Sequence, residues 1–250
     1  MTAPRTVLVT GAARRIGATI ARELAGQGWR VAIHHHHSAE DADSLAADLP
    51  GATVVSGDLA DPAIPGDLVA AARAAFGAPL VAVVNNASLF DYDTPPRIAA
   101  QCLRDHSAVN LQAPVLLGNA LATQDDLAEG AVVHILDQKI ANLNPDFFSY
   151  SCGKIALAGA TTMLAQALGP RIRVNAVSPG LSLPSADQSD AEFVAAASKN
   201  LLQRPVDPTD IAHAVAFLLG ARGVEGQNIF VDCGQHLLPS ARDVMFEGRV

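Results

Sequence analysis

Short apolar runs rich in valine and isoleucine alternate along the chain with longer segments rich in alanine and leucine. Buried strands of a parallel sheet give such runs, and the longer segments show the three- and four-residue spacing of amphipathic helices. The pattern therefore predicts an α/β fold: an open, doubly wound sheet of about seven parallel strands with helices on both faces. A closed (β/α)8 barrel is the competing interpretation, and it would need an eighth unit that the chain lacks. The predicted strands are residues 6–10, 30–33, 53–55, 80–84, 131–136, 172–177 and 228–231, and the predicted helices are residues 16–24, 39–49, 67–76, 97–121, 147–168, 190–202 and 208–219.

The composition narrows the class of protein. The 250 residues are 50% hydrophobic with no linker or break in composition, so we expect one domain over residues 1–250. A net charge of −8 without a basic run argues against a nucleic-acid partner. The three cysteines lack the spacing of a metal site or of a disulfide framework, so we expect reduced thiols and no metal. No apolar run approaches the roughly 20 residues of a membrane span. Without a signal-peptide layout either, we expect a cytoplasmic protein.

A glycine-containing turn follows the first predicted strand. Thr10 is followed by Gly11, and Gly17 opens the next predicted helix. In doubly wound folds this turn holds a pyrophosphate at the helix N-terminus, with glycines where the backbone must turn tightly or approach closely. The complete G-x-G-x-x-G pattern is absent, so an ordinary strand-to-helix turn is the alternative.

The end of the second predicted strand indicates the choice of dinucleotide. An acid about 20 residues beyond the last glycine binds the ribose of NAD, whereas basic residues suit the 2′-phosphate of NADP. Here residues 33–39 contain no acid and instead offer His36, His37 and Ser38, with Arg14 nearby in the glycine turn. This pattern favours NADPH as the cofactor. Solvated loop histidines are the alternative.

Tyr150 and Lys154 stand four residues apart on one face of a predicted helix. A lysine ammonium beside a phenol stabilises the phenolate and lowers its pKa from about 10. We therefore expect Tyr150 to be a general acid that works near neutral pH. An exposed surface pair at the same spacing is the alternative.

These features together resemble the short-chain dehydrogenase/reductase family over nearly the whole chain. The resemblance implies a Rossmann-like fold in which Asp58 and Leu59 meet the adenine and Lys154 also holds the nicotinamide ribose. It further implies that Asn110 anchors a water in a proton relay, and that the enzyme is a homotetramer built on the helices around Asn110 and Tyr150. The matching positions are residues 10–17, Asp58, Asn85, Asn86, Ala87, Asn110, Tyr150, Lys154, Pro179 and Gly180. The cofactor residues implied are Gly11, Arg14, Arg15, Ile16, Gly17, His36, His37, Ser38, Asp58, Leu59, Asn86, Ala87, Ser88, Lys154, Pro179, Gly180 and Ser182.

Four positions depart from the general pattern of that family. Arg15 replaces the usual middle glycine, Ser88 replaces a glycine, Phe90 follows two residues later, and Asp137 stands where a catalytic serine is expected, 13 residues before Tyr150. All four resemble the pteridine reductases, as does the run from Pro179 through Leu181 to Ser182. The substrate residues implied are Arg15, Ser88, Phe90, Asp137, Tyr150 and Leu181, and the catalytic residues are Asp137, Tyr150, Lys154 and Asn110.

The chemistry of these departures suits a pterin. An ionised carboxylate at Asp137 only accepts hydrogen bonds, which matches the amino and ring N–H groups of a pterin better than a ketone oxygen. Phe90 can stack on a flat bicyclic ring, and Arg15 can reach a phosphate or an acceptor on the pterin. Phe90 could instead be a core residue under the loop, and Asp137 could be a helix or turn cap.

The sequence thus predicts an NADPH-dependent reductase that takes a dihydropterin to its tetrahydro form. A carbonyl or 3-oxoacyl reductase of the same family is the first alternative. A dinucleotide-sensing protein without turnover is the second. No motif in the sequence assigns a role to residues 240–250.

Overall fold

The computed structural model describes residues 5–184 and 189–246. Its strands are β1 (Thr6–Val9), β2 (Arg30–His35), β3 (Thr53–Ser56), β4 (Ala82–Asn85), β5 (Gly130–Ile135), β6 (Ile172–Pro179) and β7 (Asn228–Val231). Its α-helices are α1 (Arg15–Gly26), α2 (Ala39–Asp48), α3 (Ile64–Phe76), α4 (Ala100–Ser107), α5 (Ala113–Ala122), α6 (Phe148–Leu168), α7 (Asp190–Ala197) and α8 (Pro208–Gly220). A π-helical segment, Ala108–Gln112, joins α4 to α5, and 3-10 turns occupy Gln138–Ala141 and Gln235–Leu237.

The seven strands form one open sheet in the order β3-β2-β1-β4-β5-β6-β7, and every neighbouring pair is parallel. The predicted fold class is confirmed, and the closed barrel is excluded. Because side chains alternate along a strand, Val7 and Val9 of β1 pack with α1 and α8, whereas Leu8 packs with α3 and α5 on the other face. Two separate cores therefore cover the two faces of the sheet.

The site lies where the strand order reverses. The chain runs outward from β1 through β2 to β3 and then returns to place β4 on the other side of β1. The connections that follow β1 and β4 consequently diverge, which opens a crevice at the carboxyl ends of the strands. Ligands of doubly wound folds bind at this switch point.

Several element bounds differ from those expected. The helix predicted at 97–121 begins later, at Ala100, and is interrupted by the π segment, which the spacing of the apolar residues did not reveal. The helix predicted at 190–202 ends at Ala197, where the Asn200 side chain donates to the Ala197 carbonyl (2.6 Å) and terminates it. Helix α3 begins three residues earlier than expected, at Ile64, and β4 begins two residues later, at Ala82. Within the described ranges, no helix has the length and apolarity to cross a membrane.

Candidate active site

A groove of about 600 Å³ opens at the switch point, along the carboxyl ends of β1 to β4. It brings together most of the cofactor residues expected from the sequence. Those lining it are Gly11, Arg14, Arg15, Ile16, Gly17, His36, His37, Ser38, Asp58, Leu59, Asn86, Ala87 and Ser88. Four further residues line the groove and were not expected from the sequence, namely His34, Gly57, Leu89 and Val109.

The glycine turn has the geometry of a phosphate cradle. Gly11 has φ +60°, and a Cβ on Gly17 would lie 2.6 Å from Asn86 Nδ2. That Asn86 amide donates to the carbonyls of Thr10 (2.9 Å) and Gly11 (3.0 Å), so it ties the end of β4 to the turn. Gly17 is required by this close approach, and Gly11 by its positive φ and by Ala87 Cα, which would lie 2.9 Å from a Cβ there. The turn fits the pyrophosphate of a dinucleotide.

Arg15 adopts a left-handed conformation, with φ 56°. Glycine adopts this conformation without strain, which explains why the family usually has glycine here. The arginine side chain reaches across the crevice, and its Nη1 donates to the Pro184 carbonyl at 3.0 Å. Arg15 thereby links the glycine turn to the loop after β6.

His34 is a buried support beneath the groove. The Gly11 backbone N–H donates to its Nδ1 (3.1 Å), and its Nε2 lies 3.1 Å from the Gly57 carbonyl, to which it donates in the neutral tautomer. Burial lowers the pKa of His34 to about 4, which keeps that neutral tautomer. In the sequence His34 directly follows the predicted strand 30–33 as the first of four histidines, and only the fold shows that it is buried while His36 and His37 are exposed.

The residues that would select the 2′-phosphate are exposed. His36 and His37 stack on each other with ring centroids 3.5 Å apart. Arg14 Nε lies 3.5 Å from Asp41 Oδ2, and His36 Nδ1 lies 3.9 Å from Asp58 Oδ1. Asp41 lies two residues beyond the acid-free segment 33–39, and it pairs with Arg14 from the first turn of α2.

The second half of the site is centred on Asp137 and Tyr150. The Tyr150 hydroxyl donates to Asp137 Oδ2 at 2.6 Å, while Asp137 Oδ1 accepts from the Lys139 backbone N–H at 2.8 Å. Asp137 is therefore a cap of the 3-10 turn through one oxygen and the partner of Tyr150 through the other. Lys154 donates to the Ile135 carbonyl at 2.7 Å, and its Nζ lies 5.6 Å from the centre of the Tyr150 ring.

Burial perturbs all three of these groups. It raises the pKa of Asp137, an effect opposed by the hydrogen bonds from Tyr150 and Lys139. It lowers the pKa of Lys154 to about 8. Burial and the neighbouring Asp137 carboxylate raise the pKa of Tyr150 well above its ordinary value, so the expectation of a lowered pKa was wrong for the protein alone. Tyr150 is a protonated phenol, which can donate a proton, and not a resting phenolate.

Asn110 lies in the π segment and is buried. Its Oδ1 accepts from the Leu89 N–H (2.9 Å) and the Ser88 hydroxyl (3.1 Å), and its Nδ2 donates to the Leu89 carbonyl (3.0 Å). The side chain thus holds the loop after β4. The anchoring of a water by Asn110 stays a prediction. Gly153 permits the close approach of α6, because a Cβ there would lie 3.2 Å from Asn110 Cβ.

Phe90 is 44% exposed and lies beside Tyr150. Its ring stacks on Phe147 (centroids 4.1 Å apart, 13° between planes) and meets the edge of Tyr150 (4.7 Å). The core-residue alternative does not fit this exposure. Pro179, Gly180, Leu181 and Ser182 lie outside the groove lining, at the end of β6 and the loop that follows it.

The fold, the groove and the Tyr150–Lys154 pair define a dinucleotide-dependent oxidoreductase. A family model described as enoyl-(acyl carrier protein) reductase matches residues 11–236. The chain belongs to the short-chain dehydrogenase/reductase family and is an oxidoreductase of that family.

The similar proteins include reductases named for pterin or folate substrates and reductases named for 3-oxoacyl substrates. The FolM alternative dihydrofolate reductase 1 from Brucella canis, solved in complex with NADP, is 40% identical with a TM-score of 0.91, and the match covers 97% of this chain and 98% of that one. A dihydromonapterin reductase of Citrobacter koseri is 28% identical over 94% of this chain and 98% of its own. A 3-oxoacyl-(acyl-carrier-protein) reductase of Staphylococcus aureus is 31% identical over 93% of this chain and 98% of its own. The NADP in the first relative agrees with the cofactor expected from the sequence.

Proposed function

We propose that this protein uses NADPH to reduce a dihydropterin, such as dihydromonapterin, dihydrobiopterin or dihydrofolate, to the tetrahydro form. The observation that carries the proposal is the hydrogen bond of 2.6 Å from Tyr150 to Asp137, at a position where ketone reductases of the family have serine. The FolM and dihydromonapterin relatives support this substrate class. The 3-oxoacyl relative keeps a carbonyl reductase as the second candidate.

Each residue has a definite part in this reaction. Bound NADPH supplies the hydride that goes to a carbon of the pterin ring. Asp137, when ionised, accepts hydrogen bonds from N–H groups of the pterin, and Phe90 offers an exposed ring face on which the bicyclic system can stack. Tyr150 holds the proton for the adjacent ring nitrogen. Lys154 holds the nicotinamide ribose and places a positive charge beside the phenol as that proton leaves.

The groove residues bind the rest of the cofactor. Gly11 and Gly17 allow the pyrophosphate to approach the N-terminus of α1. Arg14, His36, His37 and Ser38 line the groove and would bind the 2′-phosphate, while Asp58 and Leu59, which line it as well, would meet the adenine. Arg15 and Ser88 would meet both cofactor and substrate, and Leu181 the substrate. A cytoplasmic location and a homotetramer stay predictions from the sequence.

A substrate panel tests the proposed function. Oxidation of NADPH is followed with dihydromonapterin, dihydrobiopterin and dihydrofolate, and separately with a 3-oxoacyl thioester and simple ketones. We expect turnover of at least one dihydropterin and none of the ketones, and loss of the pterin activity in Asp137→Ser with unchanged NADPH affinity. A wild-type protein that reduces ketones and ignores dihydropterins would overturn the proposal, and no turnover with any substrate would favour a sensor.

A further inference from the structure

Residues 240–246 cover the loop that joins Asp137 to the helix carrying Tyr150. This catalytic loop, residues 138–147, begins after Asp137 and ends one residue before α6, which carries Tyr150. The C-terminal segment, residues 240–246, lies against it. The Ser240 backbone N–H donates to Asn142 Oδ1 at 3.1 Å, which is the first of several contacts between the two.

A buried ion pair connects the two segments. Lys139 Nζ lies 2.9 Å from Asp243 Oδ2, and only 4% and 13% of the two side chains are exposed. Lys139 also donates to Asn144 Oδ1 within the loop, at 2.7 Å. A pair this far from water is costly to break on one side, because the remaining charge loses its partner without regaining solvent. The pair sits two residues from Asp137, whose Oδ1 accepts the Lys139 backbone N–H.

A second connection lies at the other end of the loop. Asp146 Oδ2 accepts from Arg242 Nε (2.7 Å) and from the Asp243 backbone N–H (2.8 Å), while its Oδ1 accepts from the Tyr92 hydroxyl (3.2 Å). Burial alone would raise the pKa of Asp146, but the hydrogen bonds from Arg242, Asp243 and Tyr92 hold it below its ordinary value. Asp146 is accordingly a carboxylate bound mainly by the C-terminal segment.

Aromatic rings extend this contact to the start of α6. Phe246 stacks on Phe147 with centroids 6.0 Å apart and planes 19° apart, and Phe147 in turn stacks on Phe90. Phe147 caps α6 in a left-handed conformation, with φ 53°. Such a conformation persists only where the surroundings hold it, and here the rings on both sides do so.

We propose that Arg242 and Asp243 are positioning residues, which hold the catalytic loop at both ends and thereby fix the hydrogen bond between Tyr150 and Asp137. The inference rests on the proposed function for its assay only, since the contacts themselves do not depend on which substrate is reduced. It assigns the C-terminal segment to the site of its own chain.

The charge of Asp243 adds an electrostatic consequence. Its carboxylate contributes to the raised pKa of Asp137, behind burial, and to the raised pKa of Tyr150, behind burial and the contact with Asp137. Among the described residues, Lys154 of α6 is the other charged group that acts on Asp137, while Lys139 of the loop faces Asp243 and His134 of β5 faces Lys154. Removing the Asp243 charge leaves these in place, so the pKa values of Asp137 and Tyr150 should both fall.

The experiment compares the full-length Asp243→Asn variant with the wild type. We expect kcat for the dihydropterin to fall about 10-fold or more, since a displacement of about 1 Å in a catalytic group costs about 10²-fold. We expect KM for NADPH to stay within about twofold, because the groove lies at the other end of the crevice. The pH profile of kcat should shift to lower pH. Asp243→Glu, which keeps the charge, should restore most of kcat.

A spectroscopic measurement tests the same inference without turnover. The chain has only two tyrosines, Tyr92 and Tyr150, so carbon-13-labelled tyrosine gives two ring signals that the Tyr150→Phe variant assigns. We expect the Tyr150 signal to move in Asp243→Asn. If the wild type reduces no dihydropterin, the proposed function fails while this measurement still decides the positioning role.

Two further variants complete the test. Asp48→Asn breaks the exposed Arg22–Asp48 pair (3.3 Å) far from the site and should change neither kcat nor the Tyr150 signal. Arg242→Ala serves if Asp243→Asn does not fold, because half of the Arg242 side chain is exposed, and it should move the Tyr150 signal in the same direction by less. A Tyr150 signal and a pH profile identical to the wild type in the folded variants would overturn the inference.

Discussion

The two ends of the crevice hold their polar side chains in opposite surroundings, exposed at one end and buried at the other. At the cofactor end, Arg14 and Asp41 form a pair in which 65% and 50% of the side chains are exposed. At the catalytic end, Tyr150 and Lys154 are almost completely buried, and the nearby Lys139–Asp243 pair is nearly as inaccessible. Exposed pairs contribute about 0–1 kcal/mol each, whereas a buried charge that loses its partner costs about 3–5 kcal/mol. The cofactor end should therefore tolerate single changes that the catalytic end does not.

The largest effect is expected for Tyr150→Phe. The ring and its packing remain, but the proton and the hydrogen bond to Asp137 are lost, so kcat should fall by about 10²-fold or more. NADPH binding, measured by calorimetric titration, should be unchanged, which serves as the internal control. Near-normal kcat would assign proton delivery to water. It would also contradict the expectation that the buried end tolerates single changes less well than the cofactor end.

Asp137→Asn should have the next largest effect. The amide keeps the shape but replaces one accepting oxygen by a donor, so it can no longer accept both from Tyr150 and from N–H groups of a pterin. Loss of a hydrogen bond to a charged group costs about 1.5–3 kcal/mol, which is about 10- to 100-fold in kcat/KM for the dihydropterin. Steady-state kinetics give this value, and a variant with wild-type kcat/KM would contradict the assigned role.

Lys154 provides a pH test of the buried end. Its pKa is lowered to about 8, so the lysine loses its charge as the pH rises through that value. The phosphates of NADPH favour the charged form, so binding near pH 8 should take up protons, and NADPH affinity should decrease several-fold from pH 7 to pH 9. Measurement of the NADPH affinity from pH 7 to pH 9 shows whether it decreases as expected. Lys154→Met lacks the titrating group, and its NADPH affinity should lack this step.

The smallest effect is expected for Arg14→Ala. Since this side chain is well exposed and pairs with Asp41 at 3.5 Å, its loss should reduce the preference for NADPH over NADH by about fivefold. The ratio of kcat/KM for the two cofactors measures it, and activity with NADH should be unchanged. A change in this ratio of about 10²-fold, as large as the effect of Tyr150→Phe on kcat, would show that the cofactor end does not tolerate single substitutions.

The features predicted correctly from the sequence are those that depend on neighbouring residues along the chain. The apolar runs located the strands, and the spacing of Gly11 and Gly17 located the turn that lines the groove. The contact between Lys139 and Asp243 could not be predicted, because 104 positions separate the two residues and only the fold brings them together. The direction of the Tyr150 pKa was wrong for a related reason, since burial is set by packing and not by the spacing to Lys154.

The backbone conformation of Arg15 destabilises the fold, whereas its side chain makes a hydrogen bond that connects two loops. A left-handed conformation costs a non-glycine residue about 1–3 kcal/mol, and its link to Pro184 across the crevice depends on the side chain that incurs this cost. Arg15→Gly would relieve the strain and sever the link in one step. Replacement by glycine should therefore raise the melting temperature of the protein while the loop after β6 loses this tie to the glycine turn.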